Sequence, residues 1–151
     1  MPKDFDQLYA LEELCFEPPF RFSRRYMRHL VSSSNAATWI AEEDGQMSGF
    51  AIVEWNLELD EVVAYIQTIE VIPDMRDCGI GRELLTRIEG SARSKGACAI
   101  RLHVEVTNAG AIRLYEAHGY RCDGREENYY PLDRAALIYE KRLEYEVVNP
   151  D

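Results

Sequence analysis

The stretch Val71-Ile72-Pro73-Asp74-Met75-Arg76-Asp77-Cys78-Gly79-Ile80-Gly81 constrains the fold of this chain more than any other. Before it, Val62 to Ile72 is rich in β-branched residues and stops at Pro73, the pattern of a strand. After it, Ile80, Leu84, Leu85, Ile88 and Ala92 recur on one helical face, and Lys95-Gly96 supplies a C-terminal signal. A strand therefore passes through a short R-x-x-G-x-G loop directly into a helix. The first amides of a helix lack intrahelical acceptors, and the macrodipole adds partial positive charge at that end. Gly79 and Gly81 let an anion approach the backbone without meeting a Cβ, so the loop reads as a phosphate site. It lacks the Lys-Ser/Thr of a nucleoside-triphosphate loop, and the third glycine and acidic residue of a dinucleotide-binding turn.

The remaining elements follow from period and punctuation. Leu8, Leu11 and Leu14 mark a first helix from Gln7 to Phe16, closed by Pro18 and Pro19. Ser23 is the expected N-cap of a second helix burying Tyr26, Met27, Leu30 and Val31. Thr38 to Ala41 and Gly49 to Trp55 form a hairpin about Asp44-Gly45. Ala99 to Val106 alternates, with Ile100, Leu102 and Val104 on one face and Arg101, His103 and Glu105 on the other, as a half-buried strand does. Asn108 caps a helix that runs to His118 and ends at Gly119, and two more strands follow, from Tyr120 and over Leu137 to Leu143. The order predicts an α/β fold, a mixed sheet with helices packed on it.

With 151 residues, 46% of them hydrophobic, and no repeat or low-complexity tract, the chain is expected to form a single domain over 1–151. The formal net charge of -10 works against nucleic-acid binding and suits a cationic partner such as an amine. No apolar run approaches the roughly 20 residues of a membrane span, and Met1 to Gln7 carries no hydrophobic stretch, so the expectation is a cytoplasmic protein without a membrane partner. Cys15, Cys78, Cys98 and Cys122 show no C-x-x-C spacing, hence no metal is expected, and Cys98 and Cys122 read as buried thiols. His29 and His118 read as structural.

Three segments, in order, carry a resemblance to the GNAT acetyltransferases. Arg76-Asp77-Cys78-Gly79-Ile80-Gly81 resembles the loop with which that superfamily holds the pyrophosphate of acetyl-CoA. Ile69-Glu70-Val71-Ile72-Pro73 is similar to its splayed central strand, and Asn108-Ala109-Gly110-Ala111-Ile112-Arg113-Leu114-Tyr115-Glu116-Ala117-His118-Gly119-Tyr120 to its N-x-x-A-x-x-L-Y-x-x-x-G-F/Y signature. The resemblance implies a GNAT fold, a mostly antiparallel sheet with a splayed central strand pair and about four helices, and acetyl-CoA as co-substrate. It implies that the backbone of Ile69 and Val71 binds the acetyl carbonyl and pantetheine arm. Arg76 and the amides of Asp77, Cys78, Gly79, Ile80, Gly81 and Arg82 would hold the pyrophosphate, Asn108 would touch the pantetheine, and Tyr115 would sit near the sulfur. Asp77 departs from the pattern, because relatives mostly carry a basic residue there.

Tyr65-Ile66-Gln67-Thr68-Ile69, Leu102-His103-Val104, Asn128-Tyr129-Tyr130-Pro131 and Ala136 to Leu143 resemble the protein N-terminal acetyltransferases, of the ribosomal-protein-alanine type and its archaeal and eukaryotic relatives. That implies an N-terminal amine as acceptor, with lysine, polyamine or another small amine as the alternative and a CoA-binding module without turnover as a third reading. Amine acetylation needs a neutral nitrogen, a base for its proton and an acid for the thiolate. His103, with an ordinary pKa near roughly 6.5, can be the base. An α-amine, at about 8 against about 10.4 for lysine, needs the weaker one. The resemblance pairs His103 with Tyr65 and leaves Tyr115 as the acid. It places Tyr129 and Tyr130 along a peptide groove, with Phe16 and Pro18, in the segment Phe16 to Phe20, on the opposite wall. Glu126 and Glu127, where relatives are often basic, read as a solvated strand face. Relatives begin with a strand before the first helix, and only Met1-Pro2-Lys3-Asp4 stands there, so that strand is expected either to be short or missing or to be encoded upstream of the given start. The sheet edge this exposes is expected to be one that a homodimer could cover.

Overall fold

The computed structural model describes residues 2–143. Two helices come first, α1 (Pro2–Cys15) and α2 (Arg24–Ser32), then three strands, β1 (Ala36–Glu43), β2 (Gln46–Glu58) and β3 (Glu61–Val71). A single 3-10 turn, Pro73–Met75, leads to α3 (Ile80–Ser94), β4 (Ala97–Glu105), α4 (Ala109–Ala117), β5 (Arg121–Tyr130) and β6 (Arg134–Arg142). The strands form one open sheet in the order β1-β2-β3-β4-β6-β5, antiparallel throughout except for the parallel pair β3–β4. This is the predicted mixed sheet with four helices. Among the described residues α1 is the first element, beginning at Pro2. Met1, in the stretch where relatives place a strand, lies outside them.

Each face of the sheet buries one layer of helices. On one side Ile80, Leu84, Leu85, Ile88 and Ala92 of α3 pack on Ala51, Val53, Ala64, Ile66, Ile100 and Leu102. On the other, Phe5, Leu8 and Leu11 of α1 and Met27 and Leu30 of α2 pack on Met47, Phe50 and Ile52. Covered on both faces, β2 is buried from Met47 to Val53 without alternation. Ser23 caps α2 as expected, its side chain accepting from the Tyr26 amide at 3.1 Å. Leu14 points outward at 62% exposure; the inward stripe of α1 is Leu8, Leu11, Glu12 and Cys15, the i, i+3, i+4, i+7 pattern. Tyr26 is likewise exposed, its hydroxyl reaching the Gln67 side chain at 3.5 Å instead of entering the core. Cys98 is buried, but Cys122 is exposed, since β5 is an edge strand with little covering it.

The sheet opens at its centre. β3 and β4 pair from Val62↔Ala97 to Ile66↔Leu102 and no further. On the β2 side the register passes from Val53↔Ile66 to Ile52↔Thr68, so Gln67 is an extra residue in β3. Such a bulge bends its strand and increases the local twist. Beyond it, β3 stays with β2 up to Gly49↔Val71, while β4 stays with β6 through His103↔Ile138 and Glu105↔Ala136. A wedge-shaped gap therefore separates the last residues of β3 from those of β4.

Candidate active site

The backbone of β3 meets that gap with its polar groups exposed. The Ile72 amide donates to the Ser48 carbonyl at 2.9 Å, which makes Ile72 and Ser48 a hydrogen-bonded pair of the antiparallel ladder. Alternation then turns Glu70 toward β2, and Ile69 and Val71 toward the gap. Arg76 folds back on this strand end, its Nε donating to the Val71 carbonyl at 3.1 Å.

The glycine loop follows. Asp77 has φ 63° and Gly79 φ 86°, two left-handed residues that turn the chain sharply into α3. Gly79 occupies the N-cap, and no side chain caps the helix. The first helical bond runs from the Glu83 amide to the Gly79 carbonyl at 3.1 Å. Among the described residues, none of the amides of Asp77, Cys78, Gly79, Ile80, Gly81 and Arg82 donates to another protein group. Six consecutive free donors at a helix start make an anion site. The Cys78 thiol donates to the Arg76 carbonyl, and among the described residues the exposed Asp77 carboxylate makes no hydrogen bond or ion pair.

Two clefts run from the gap. The first, about 710 Å³, is lined by Ile69, Val71, Arg76, Asp77, Gly79, Gly81, Arg82 and one flank of α4. The second, about 720 Å³, lies between the α1–α2 loop and the β5–β6 hairpin and is lined by Phe16, Phe20, Tyr26, Tyr65, Gln67, His103, Tyr129, Tyr130 and Arg134. Ile69, Asn108, Ala111 and Tyr115 border both, so the clefts meet where the strands part. Asn108 has two roles at this junction: it lines both clefts, and its Oδ1 caps α4 by accepting from the Ala111 amide at 3.2 Å. Burial, and secondarily the nearby Tyr130, push the Tyr115 hydroxyl well above its ordinary value and keep it a neutral donor.

The second cleft holds a linked set of ionisable side chains. Tyr65 and His103 stand on adjacent strands, with Tyr65 Oη 2.6 Å from His103 Nδ1. His103 Nε2 lies 3.1 Å from Glu126 Oε1, and its ring stacks on Tyr129 with centroids 4.1 Å apart and planes 2° from parallel. An ionised carboxylate only accepts, so Nε2 carries the proton. In the neutral ring Nδ1 is then the lone pair, and Tyr65 donates to it. Burial first, then the contact with Tyr129 at 3.4 Å, raises the Tyr65 hydroxyl, which keeps its proton for that bond. The arrangement is a carboxylate–imidazole–phenol chain with the phenol oxygen facing the cleft.

The sequence expectations for Tyr65, His103, Tyr115, Ile69, Val71, Asn108, Tyr129 and Tyr130 all converge on these clefts. Pro18 does not: it is exposed, and Phe16, Glu17, Pro19 and Phe20 line the wall instead. Glu126 is exposed, as expected of a solvated strand face, and from there it also meets His103, whereas Glu127 pairs outward with Arg125. Alternation could not show this, because β5 loses register between Glu126 and Tyr130.

Residues 5–120 match the acetyltransferase (GNAT) family. The chain is 36% identical over 89 residues to the ribosomal protein bS18-alanine N-acetyltransferase of Escherichia coli strain K12, a match covering 59% of this chain. The matched stretch spans 57% of that relative's length, little more than half. The crystal structure of the ribosomal-protein-S18-alanine N-acetyltransferase from Escherichia coli superimposes with a TM-score of 0.83 at 26% identity, over 99% of this chain and 94% of that one. Arabidopsis thaliana Naa50 in complex with the bisubstrate analogue CoA-Ac-MVNAL gives 0.82 at 25% identity, over 95% of each chain. With a family match across most of its length, a splayed β3–β4 pair and a glycine loop of free amides, the chain belongs to the GNAT acetyltransferase family.

Proposed function

We propose that the protein is an acetyl-CoA-dependent N-acetyltransferase whose acceptor is the α-amine of a protein or peptide N-terminus. The observation that carries this reading is the meeting of an anion-lined cleft with an aromatic one at Ile69, Asn108 and Tyr115. The residues present fit the co-substrate: the six free amides suit a diphosphate, and the gap-facing backbone of Ile69 and Val71 suits an extended amide-bearing arm. Acetyl-CoA supplies the activated acetyl thioester. The alanine of ribosomal protein bS18 as the substrate of the Escherichia coli relative, and the peptide portion of the Naa50 analogue, support a peptide terminus in the second cleft.

The chain's own groups move the protons. The acceptor amine, neutral at the junction, forms the N–C bond as the C–S bond breaks. Its proton passes to the Tyr65 oxygen while the Tyr65 proton goes to His103 Nδ1, and Glu126 holds the resulting imidazolium. Tyr115 gives a proton to the departing thiolate. A base of this strength suits an α-amine near pKa about 8 better than a lysine near about 10.4.

A proteome-derived peptide mixture incubated with acetyl-CoA and read by mass spectrometry tests the assignment. Acetylation of free N-termini is expected, and modification confined to internal lysines or added polyamines would overturn it.

A further inference from the structure

Two buried carboxyls lie outside the acid–base chain. Glu12 is 1% exposed and Glu70 3%. Glu12 comes from the inward stripe of α1; Glu70 comes from β3, on the face opposite the gap-facing Ile69 and Val71. The two carboxyls are neighbours in the core, and burial first, then each other's presence, bears on how both hold a proton. Carboxylates only accept, so two of them can meet through a hydrogen bond only if one carries a proton. Burial, then the adjacent Glu12, pushes the Glu70 carboxyl up, which favours a proton on the pair.

The outer oxygens tie the pair to the chain on both sides. Glu12 Oε2 accepts from the Phe22 amide at 3.0 Å, and Glu70 Oε2 accepts from Thr68 Oγ1 at 2.7 Å. The remaining oxygens, Oε1 of each, are buried without a hydrogen-bond partner among the described residues, and one proton between them would satisfy both. The ionisable groups facing the pair are Cys15 from α1, Arg21 from the α1–α2 loop and Arg76 from the β3–α3 loop. Arg21 itself braces that loop by donating to the Phe16 and Glu13 carbonyls at 3.0 and 3.1 Å.

We propose that Glu12 and Glu70 hold one proton between them and act as a positioning pair, tying the loop 16–22 that walls the second cleft to the stretch of β3 at the junction. Loss of the proton would set two charges side by side in the core and push the α1–α2 loop off the strand. The wall carrying Phe16 and Phe20 would then lose its register with the reacting centre. The positioning role rests on the reading of the second cleft as the acceptor site; the shared proton does not.

Difference infrared spectroscopy of the whole protein against its Glu70→Gln variant, at about pH 8, reads the proton directly. A protonated-carboxyl band present in the native protein and gone in the variant is expected. Its absence from the native protein overturns the proposal, whether or not any amine is acetylated. Steady-state kinetics read the positioning. Glu70→Ala is expected to raise the peptide KM roughly tenfold with the acetyl-CoA KM within about twofold. Glu70→Gln, whose amide donates to Glu12 in place of the proton, is expected to restore the peptide KM. It should also remove the rise in peptide KM that the native enzyme shows as pH approaches about 10. A Gln variant no better than the Ala variant, or a native KM that stays flat, overturns the role. If the Ala variant does not fold, the pH profile of the Gln variant against the native enzyme decides it alone.

Discussion

His103 receives a hydrogen bond on one ring nitrogen and donates one from the other, and this polarity defines what each neighbour can do. Glu126 accepts from one nitrogen and so fixes the tautomer, and Tyr129 stacks on the ring; in the proposed reaction Glu126 would balance the charge that forms and Tyr65 would be the group that reaches the acceptor. Removing the base therefore differs from loosening it. His103→Ala is expected to lower kcat by about 100-fold or more while acetyl-CoA affinity changes little, as single-turnover rates and calorimetry would show. Glu126→Gln keeps an acceptor but not the charge, and should lower kcat about tenfold with the acetyl-CoA KM unchanged. Equal rates for the Gln variant and the native enzyme would remove Glu126 from the chain.

At the scale of the element, two backbone features set up the site. The first is the glycine loop. Asp77 has the left-handed conformation that Asn also tolerates, and its carboxylate flanks six amides aimed at an anion. Asp77→Asn should preserve the turn and tighten CoA binding about two- to fivefold at low salt, with the gain shrinking as salt rises. The second is the close contact of β2 with the end of β3. A Cβ on Gly49 would stand 2.6 Å from the Glu70 carbonyl oxygen, a backbone atom that cannot step aside. Gly49→Ala is expected to cost about 1–3 kcal/mol in urea unfolding. Gly90, on the exposed side of α3 with nothing within 4 Å, is the control: Gly90→Ala should instead add about 0.5–1 kcal/mol.

The whole molecule is a sheet with a helical layer on each face, and the buried acid pair sits between one layer and the sheet. Its proton couples global stability to pH. Burial beside Glu12 pushes the Glu70 carboxyl from 4.5 up to about 10, so between those values the folded state binds more protons than the unfolded one. Stability from this group is fully present below the free value and is lost as pH rises toward the folded one. The melting temperature of the native protein should fall over that interval, and Glu70→Gln should flatten the fall. Scanning calorimetry across the range checks it, and parallel curves for the two proteins would contradict the assignment.

Element order, the phosphate-type loop and most of the residues at the junction were legible in the chain of residues alone. These are local consequences: period 2 or 3.6 in side chains, Ser23 and Asn108 as caps, Pro73 as a strand stop, glycines where the chain must turn. Even Glu12 left a trace, as a charge at i+4 from Leu8 in an otherwise apolar stripe, although the three-residue spacing of leucines pointed to Leu14 instead. Long-range packing settles where β3 and β4 part, that the exposed Glu126 reaches His103, that Pro18 stands off the groove, and that two glutamates come together in the core. Those facts depend on a bulge at Gln67, a register slip in β5 and contacts between residues as much as 58 positions apart (Glu12 to Glu70), none of which alters the local pattern. Short-range periodicity encodes which face of an element is buried; which side chain waits on the other side is settled by packing.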